Sequence, residues 1–130
     1  MIVGLGTDII DNRRIENIII NFGLKFKKKC FLKNEIKKSE KKHNQINFFA
    51  KRYAAKEACA KALGTGLAKG IFWKDIEVFN DYNGKPLIKL HNKALSLLNK
   101  NFNFPCKIEL SLSDEKNYSI ANVIIFKHEK

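Results

Sequence analysis

Residues 48–66, FFAKRYAAKEACAKALGTG, constrain the fold more than any other stretch of the chain. Alanine is the strongest helix former, and the lysines and glutamate beside it lose little freedom in a helix. The segment therefore predicts a long helix that stops at Gly64. Its side chains are small enough for neighbouring elements to approach the backbone closely, which suits a helix at the centre of the molecule. Glu57 and Lys61 lie four residues apart and so share one face. Taken alone, a pair at this spacing is a solvated surface pair worth about a few tenths of a kcal/mol. The same stripe could instead offer a metal ligand and a phosphate contact. The rest of the chain has to decide.

At 130 residues the chain fits one domain, residues 1–130, and roughly two-thirds of its unfolded surface can be buried. No run approaches the roughly 20 apolar residues of a membrane span. The opening MIVGLGTDII has no basic region ahead of its apolar run, and Asp8 interrupts that run, which argues against a secretory signal. Cys30, Cys59 and Cys106 are odd in number and far apart. They read as reduced thiols of a cytoplasmic protein. His43, His91 and His128 are equally scattered, which argues against zinc.

The net charge of +12 is unevenly spread: residues 25–61 carry 13 Lys/Arg against Glu35, Glu40 and Glu57. One basic face is expected, built mainly by the 25–42 stretch and suited to an acidic protein or a polyanion. The excess is almost all lysine, 22 Lys to 3 Arg, so part of it reads as solvated surface without a partner.

Residues 2–10 are apolar and β-branched around Thr7–Asp8 and suit a buried strand. Ile15, Ile18, Ile19 and Phe22 recur at helical spacing over 12–22, with Asp11 or Asn12 as cap. A short charged helix is expected over 32–42, with Leu32 and Ile36 inward, followed by the long helix over 46–63. Gly64, Gly66 and Gly70 mark a loop, with Lys69 inside it. Strands at 75–79 and 86–90 flank the turn cluster at 80–84. Ala94, Leu95, Leu97 and Leu98 mark another helix, and strands at 107–113 and 118–126 flank a turn at 114–117. Trp73 and Phe72 could lie in the core or at a subunit interface, and the core is the expected place. The order gives an α+β fold, a mostly antiparallel sheet around a long central helix.

Two glycine patterns fail as nucleotide fingerprints. Gly4-Leu-Gly6-Thr-Asp8-Ile9 has Ile9 at the third glycine position, and its glycines lie within the strand. The Gly64–Gly70 loop lacks the GK[ST] ending and stands at a helix C-terminus, the wrong end of the dipole for phosphate. Asp8 is the odd residue of the first strand, because an acid in an apolar run is costly unless paired or ligating. Satisfaction by backbone or by a basic side chain is the common explanation. The sharper one joins Asp8 to Glu57 as two oxygen ligands for Mg²⁺, with Lys61 neutralising a phosphoryl oxygen. No Ser-His-Asp or Cys-His set suggests a covalent intermediate.

GLGTDII with Arg14-Ile15 resembles the opening motif of the holo-[acyl-carrier-protein] synthases, the short 4′-phosphopantetheinyl transferases. FAKRYAAKEA through KALGTG resembles their second and most diagnostic motif. WKDIEV, Asn80-Asp81, Gly84-Lys85-Pro86 and Ser111-Leu-Ser113-Asp114 with Tyr118 and Ala121 follow in the family's order, so the likeness runs from residue 4 to about 126. It implies transfer of 4′-phosphopantetheine from coenzyme A to a serine of apo acyl carrier protein, releasing adenosine 3′,5′-bisphosphate, in support of fatty acid biosynthesis. It assigns Asp8 and Glu57 to Mg²⁺ and Lys61 to the diphosphate. Arg52, the Gly64 loop and Lys85-Pro86 go to the nucleotide end of CoA, and Arg14, with Arg13, to the acidic carrier protein. The likeness also implies a homotrimer with sites between subunits. Many relatives carry His at the position of Asp114, so no imidazole role transfers, and Asp114 reads as structural.

Two other classes compete. A small basic nucleic-acid-binding protein would explain the charge, but no RNP-like motif, recognition helix or zinc-finger spacing accompanies it. A non-catalytic module that binds acyl carrier protein would not need the Asp8–Glu57 pair.

Overall fold

The computed structural model describes residues 1–67 and 70–128. Lys69 of the glycine loop lies outside them. The order is β1 (Ile2–Asp11), α1 (Asn12–Phe22), α2 (Leu24–Cys30), α3 (Lys33–Ser39), α4 (Gln45–Ala62), a single 3-10 turn at Trp73–Asp75, β2 (Ile76–Asn80), β3 (Pro86–Leu90), α5 (Asn92–Asn101), β4 (Cys106–Asp114) and β5 (Tyr118–Lys127). β1, β5 and β4 form a three-stranded sheet in that order, and β2 and β3 a separate hairpin. Every pairing is antiparallel.

α4 is the centre of the molecule, as its composition predicts. Asn44 caps it by accepting from the Asn47 N–H at 3.1 Å. Beyond its C-terminus Gly64 and Gly66 take positive φ, 91° and 61°, and the Gly66 N–H turns back to the Ala60 carbonyl at 3.1 Å. Ala54, Ala55, Ala58 and Ala60 are fully buried. The glycines of β1 explain how the helix lies so close to the sheet. A Cβ on Gly6 would overlap the Ala58 carbonyl oxygen, and one on Gly4 that of Ala62. These glycines contact a helix, not a nucleotide.

β1 differs from the expected buried strand. Gly4, Gly6 and Ile10 face the core, but Leu5 and Ile9 are 67% and 61% exposed. α4 covers only one face of the sheet. On the other face Leu5 stands opposite Ile124 and Ile9 opposite Ile120, with the Thr7–Asn122 pair between them. The structure also adds α2, where the sequence shows only a basic run, with Phe26 and Cys30 buried. In α3 the inward residues are Glu35 and Ser39; Leu32 and Ile36 are only partly covered. Phe72 is exposed, contrary to expectation, whereas Trp73 stacks on Tyr53 with ring centroids 4.3 Å apart.

Candidate active site

The close β1–α4 approach brings Asp8 to the stripe of Glu57 and Lys61. Lys61 Nζ donates to an Asp8 carboxylate oxygen and to the Thr7 carbonyl, both at 3.0 Å. Lys61 thus pairs with Asp8 rather than with the helix neighbour its spacing suggests. Two of its three N–H groups are engaged, and the side chain remains half exposed. Glu57 is held above the ordinary carboxylate range, first by burial and then by the negative charge of Asp8, with Lys61 and Arg14 pulling it down. Two carboxylates therefore repel each other across a partly open site.

That repulsion is the feature a divalent cation relieves. No group of three or more His, Cys, Asp or Glu side chains suited to a metal occurs among the described residues. Two hard oxygen donors alone do not make an all-protein cage, but they fit Mg²⁺, which keeps several waters and takes further oxygens from phosphates.

The other expected residues form a second group. Arg52 is 4% exposed. One guanidinium nitrogen donates to the Val78 carbonyl and to Glu35 Oε2 at 3.4 Å, and the other donates to Asn80 Oδ1 at 2.8 Å. Lys56, wholly buried, donates to Glu35 Oε1 at 2.8 Å and to the carbonyls of Trp73 and Ile76. Burial drives the pKa of both cations down, and Glu35 opposes the drift.

Arg52 and Pro86 line a cleft of about 290 Å³ with Lys51, Asn80, Asp114 and His43. Asp114 there accepts from Asn47 at 2.7 Å and faces Lys51 at 3.6 Å. Lys85 turns to Glu109, 3.0 Å away, and Gly64 has open space beside it. Lys51, His43 and Asn47 are residues the sequence reading missed. The available signal was spacing, since Asn47/Lys51 and Phe48/Arg52 are i,i+4 pairs on α4 away from the Glu57 stripe.

The two groups do not meet within one chain. Lys51 and Arg52 lie about 120° or more around the helix axis from Glu57, and the cleft does not include Asp8, Glu57 or Lys61. α1 supplies the remaining positions. Arg13 is tied to Asp11 at 2.7 Å and lies over the Tyr118 ring, whereas exposed Arg14 lies near enough to Glu57 to lower its pKa.

Residues 4–123 match the model of the 4′-phosphopantetheinyl transferase superfamily. The chain belongs to this superfamily. Within it, the chain is 47% identical over 127 residues to the holo-[acyl-carrier-protein] synthase of Rhizobium meliloti (strain 1021), spanning 96% of this chain and 91% of that protein. It is 48% identical to that of Bartonella bacilliformis, with 96% of each covered. The crystal structure of the Neisseria meningitidis synthase superposes with a TM-score of 0.86 at 35% identity, covering 98% of this chain and all of that one. The Helicobacter pylori synthase, solved in complex with coenzyme A, gives 0.80 at 30% identity, covering 94% and 99%. This chain is thus a transferase of the holo-[acyl-carrier-protein] synthase type.

Proposed function

We propose that this protein transfers 4′-phosphopantetheine from coenzyme A to a serine of apo acyl carrier protein, with Mg²⁺, and so supports fatty acid biosynthesis. The observation that carries the reading is the meeting of Asp8, Glu57 and Lys61 where β1 crosses α4. Relatives named for this activity at 47% identity support it, as does a relative solved with coenzyme A.

In the reaction the serine oxygen bonds to the phosphorus that carries pantetheine. The bond from that phosphorus to the bridging oxygen breaks, its electron pair leaves with adenosine 3′,5′-bisphosphate, and the serine proton passes to solvent water. Asp8 and Glu57 would hold the Mg²⁺, which when bound withdraws charge from the diphosphate oxygens. Lys61 has one N–H free to meet a diphosphate oxygen, and its ties to Asp8 and Thr7 hold it in place. Neither buried thiol is poised as a covalent nucleophile. Burial pushes the Cys30 and Cys59 thiols up to about 11 and about 12, so both stay protonated.

The nucleotide end of CoA goes to the Arg52–Pro86 cleft, which offers cations and an apolar wall. Lys85 and Gly64 are weaker contributors, since Lys85 is already paired and Gly64 offers only backbone. Arg14 meets the acidic carrier protein. Arg13, engaged by Asp11, contributes less. Because cleft and carboxylates lie on different sides of α4, each site takes its carboxylates from one copy and its cleft from another. The exposed Leu5/Ile9 face of the sheet supplies the contact for a homotrimer. The chain works in the cytoplasm as one transferase domain spanning residues 1–130.

The test mixes the protein with apo acyl carrier protein, CoA and Mg²⁺ and weighs the carrier by mass spectrometry. A gain of one phosphopantetheine that disappears with a chelator and returns with Mg²⁺ is expected. An unchanged carrier mass under every metal condition would sink the reading.

A further inference from the structure

We propose that Asn80, which itself lines the cleft, is a positioning residue for coenzyme A, holding the Arg52 guanidinium there and, by fastening the 81–84 turn behind it, the Pro86 wall. The inference rests on the assignment of that cleft to CoA. Asn80 stands at the end of β2, where the strand gives way to the turn that leads to Lys85-Pro86. Its Oδ1 accepts from Arg52 at 2.8 Å and from Lys38 Nζ at 3.0 Å. Its Nδ2 donates to the Gly84 carbonyl at 3.1 Å. One amide side chain thus joins α3, α4 and the β2–β3 turn, and it lines the cleft beside Arg52.

The chemistry of this junction favours an amide. Arg52 and Lys56 share a single buried carboxylate, Glu35. The three form a buried group with one positive charge in excess. Arg52 therefore has a guanidinium edge that needs an acceptor but not another full charge. A neutral amide oxygen satisfies that edge and leaves the excess charge for an anion in the cleft. A carboxylate at position 80 would offset part of the positive charge of Arg52 and Lys38, and an apolar side chain would release the edge. The donor half of the same amide fastens the turn, so the peptide carrying Pro86 keeps its place opposite Lys51 and Arg52. The turn has a second fastening of its own, with the Lys85 N–H donating to Asp81 Oδ1 at 2.9 Å. Loss of Asn80 therefore loosens the wall without unravelling the hairpin.

Calorimetric titration of CoA into the wild type and Asn80→Ala measures the effect without turnover. The expected result is a Kd for CoA about tenfold higher, the loss of hydrogen bonds to a charged partner. The KM for carrier protein should stay within about twofold, because the carrier docks elsewhere. Thermal unfolding of both proteins is recorded alongside. A lowered melting temperature with an unchanged Kd for CoA would make Asn80 a purely structural residue and overturn the proposal. Should Asn80→Ala fail to fold, Asn80→Ser serves instead, because its hydroxyl is polar but too short to reach the guanidinium. The same outcomes decide. Wild-type protein that takes up no CoA would sink the cleft assignment itself, a result distinct from a wild type that binds and a variant that binds equally well.

Discussion

At neutral pH the ionised Glu57 carboxylate is disfavoured by burial and by the charge of Asp8, with Lys61 and Arg14 only partly offsetting both. Its pKa is raised in the folded chain above its unfolded value, so the folded state binds the proton more tightly. Ionised Glu57 therefore costs stability above its folded pKa, and that cost is removed as pH falls through it. Glu57→Gln removes the cost along with the ligand. The expected outcome is turnover lower by about a hundredfold or more and a melting temperature in metal-free buffer no lower than wild type. Mass spectrometry of the carrier and calorimetric unfolding read the two. A variant that is both active and less stable would mean that Glu57 serves the fold. For the same reason, Mg²⁺ protection against thermal unfolding should fade on acidification at a pH above the ordinary glutamate range, since protons compete for the raised carboxylate.

Asp8 stood out in the sequence because an acid inside an apolar strand is costly unless paired or ligating, whereas Glu57 had an ordinary explanation as a surface partner of Lys61. The structure brings the two carboxylates close enough to repel. Glu35 did not stand out. It lies in a run of lysines that reads as surface, and its burial follows from two cations on α4 whose own burial no local pattern announces. Removing one partner from a buried ion pair costs roughly 3–5 kcal/mol. Glu35→Ala should accordingly bring the chain close to unfolding, given a total of about 5–15 kcal/mol, whereas Arg13→Ala at an exposed pair should barely move the denaturation midpoint.

Among elements, α4 and β1 behave as one unit. The small-residue composition of the helix and the glycines of the strand are two halves of one contact, and only the helix half could be read from sequence. In the strand, Gly4 and Gly6 fit a failed nucleotide fingerprint better than a packing surface until the Ala58 and Ala62 carbonyls stand opposite them. Gly6→Ala forces those backbones apart, an overpacking cost of about 1–3 kcal/mol. It should shift Asp8 away from Lys61, so activity falls along with the melting temperature. α2 was illegible because seven residues with apolar positions at Leu24, Phe26 and Cys30 are too few for a helical period to emerge from a lysine run. α1 was read correctly to its cap, which is Asp11, accepting from the Arg13 N–H at 3.0 Å. On that helix Arg14→Glu should raise the KM for carrier protein severalfold while leaving that for CoA near wild type. Equal changes in both constants would place the carrier elsewhere.

For the whole molecule, neither the two-sheet arrangement nor the separation of cleft from carboxylates could be read from periodicity, because both depend on which faces of α4 the sheet and the hairpin occupy. That separation has a consequence for activity. On the outer sheet face the Leu5–Ile124 and Ile9–Ile120 pairs flank a polar pair, and water is a poor solvent for such a surface. Ile9→Glu places a charge beside Ile120 on that face. If the proposed trimer forms through this face, sedimentation should show a shift from trimer to monomer, and transfer activity should fall with it, although the fold of each chain persists. Mixing variants separates assembly from chemistry. Glu57→Gln disables the carboxylate half and Lys51→Glu the cleft half, so each variant alone should be inactive. If each site draws its halves from different copies, co-expression restores activity, since random mixing leaves about one interface in four with both halves intact. Were both halves supplied by one chain, every copy in the mixture would remain damaged. The co-expressed sample would then transfer no more phosphopantetheine than either variant alone.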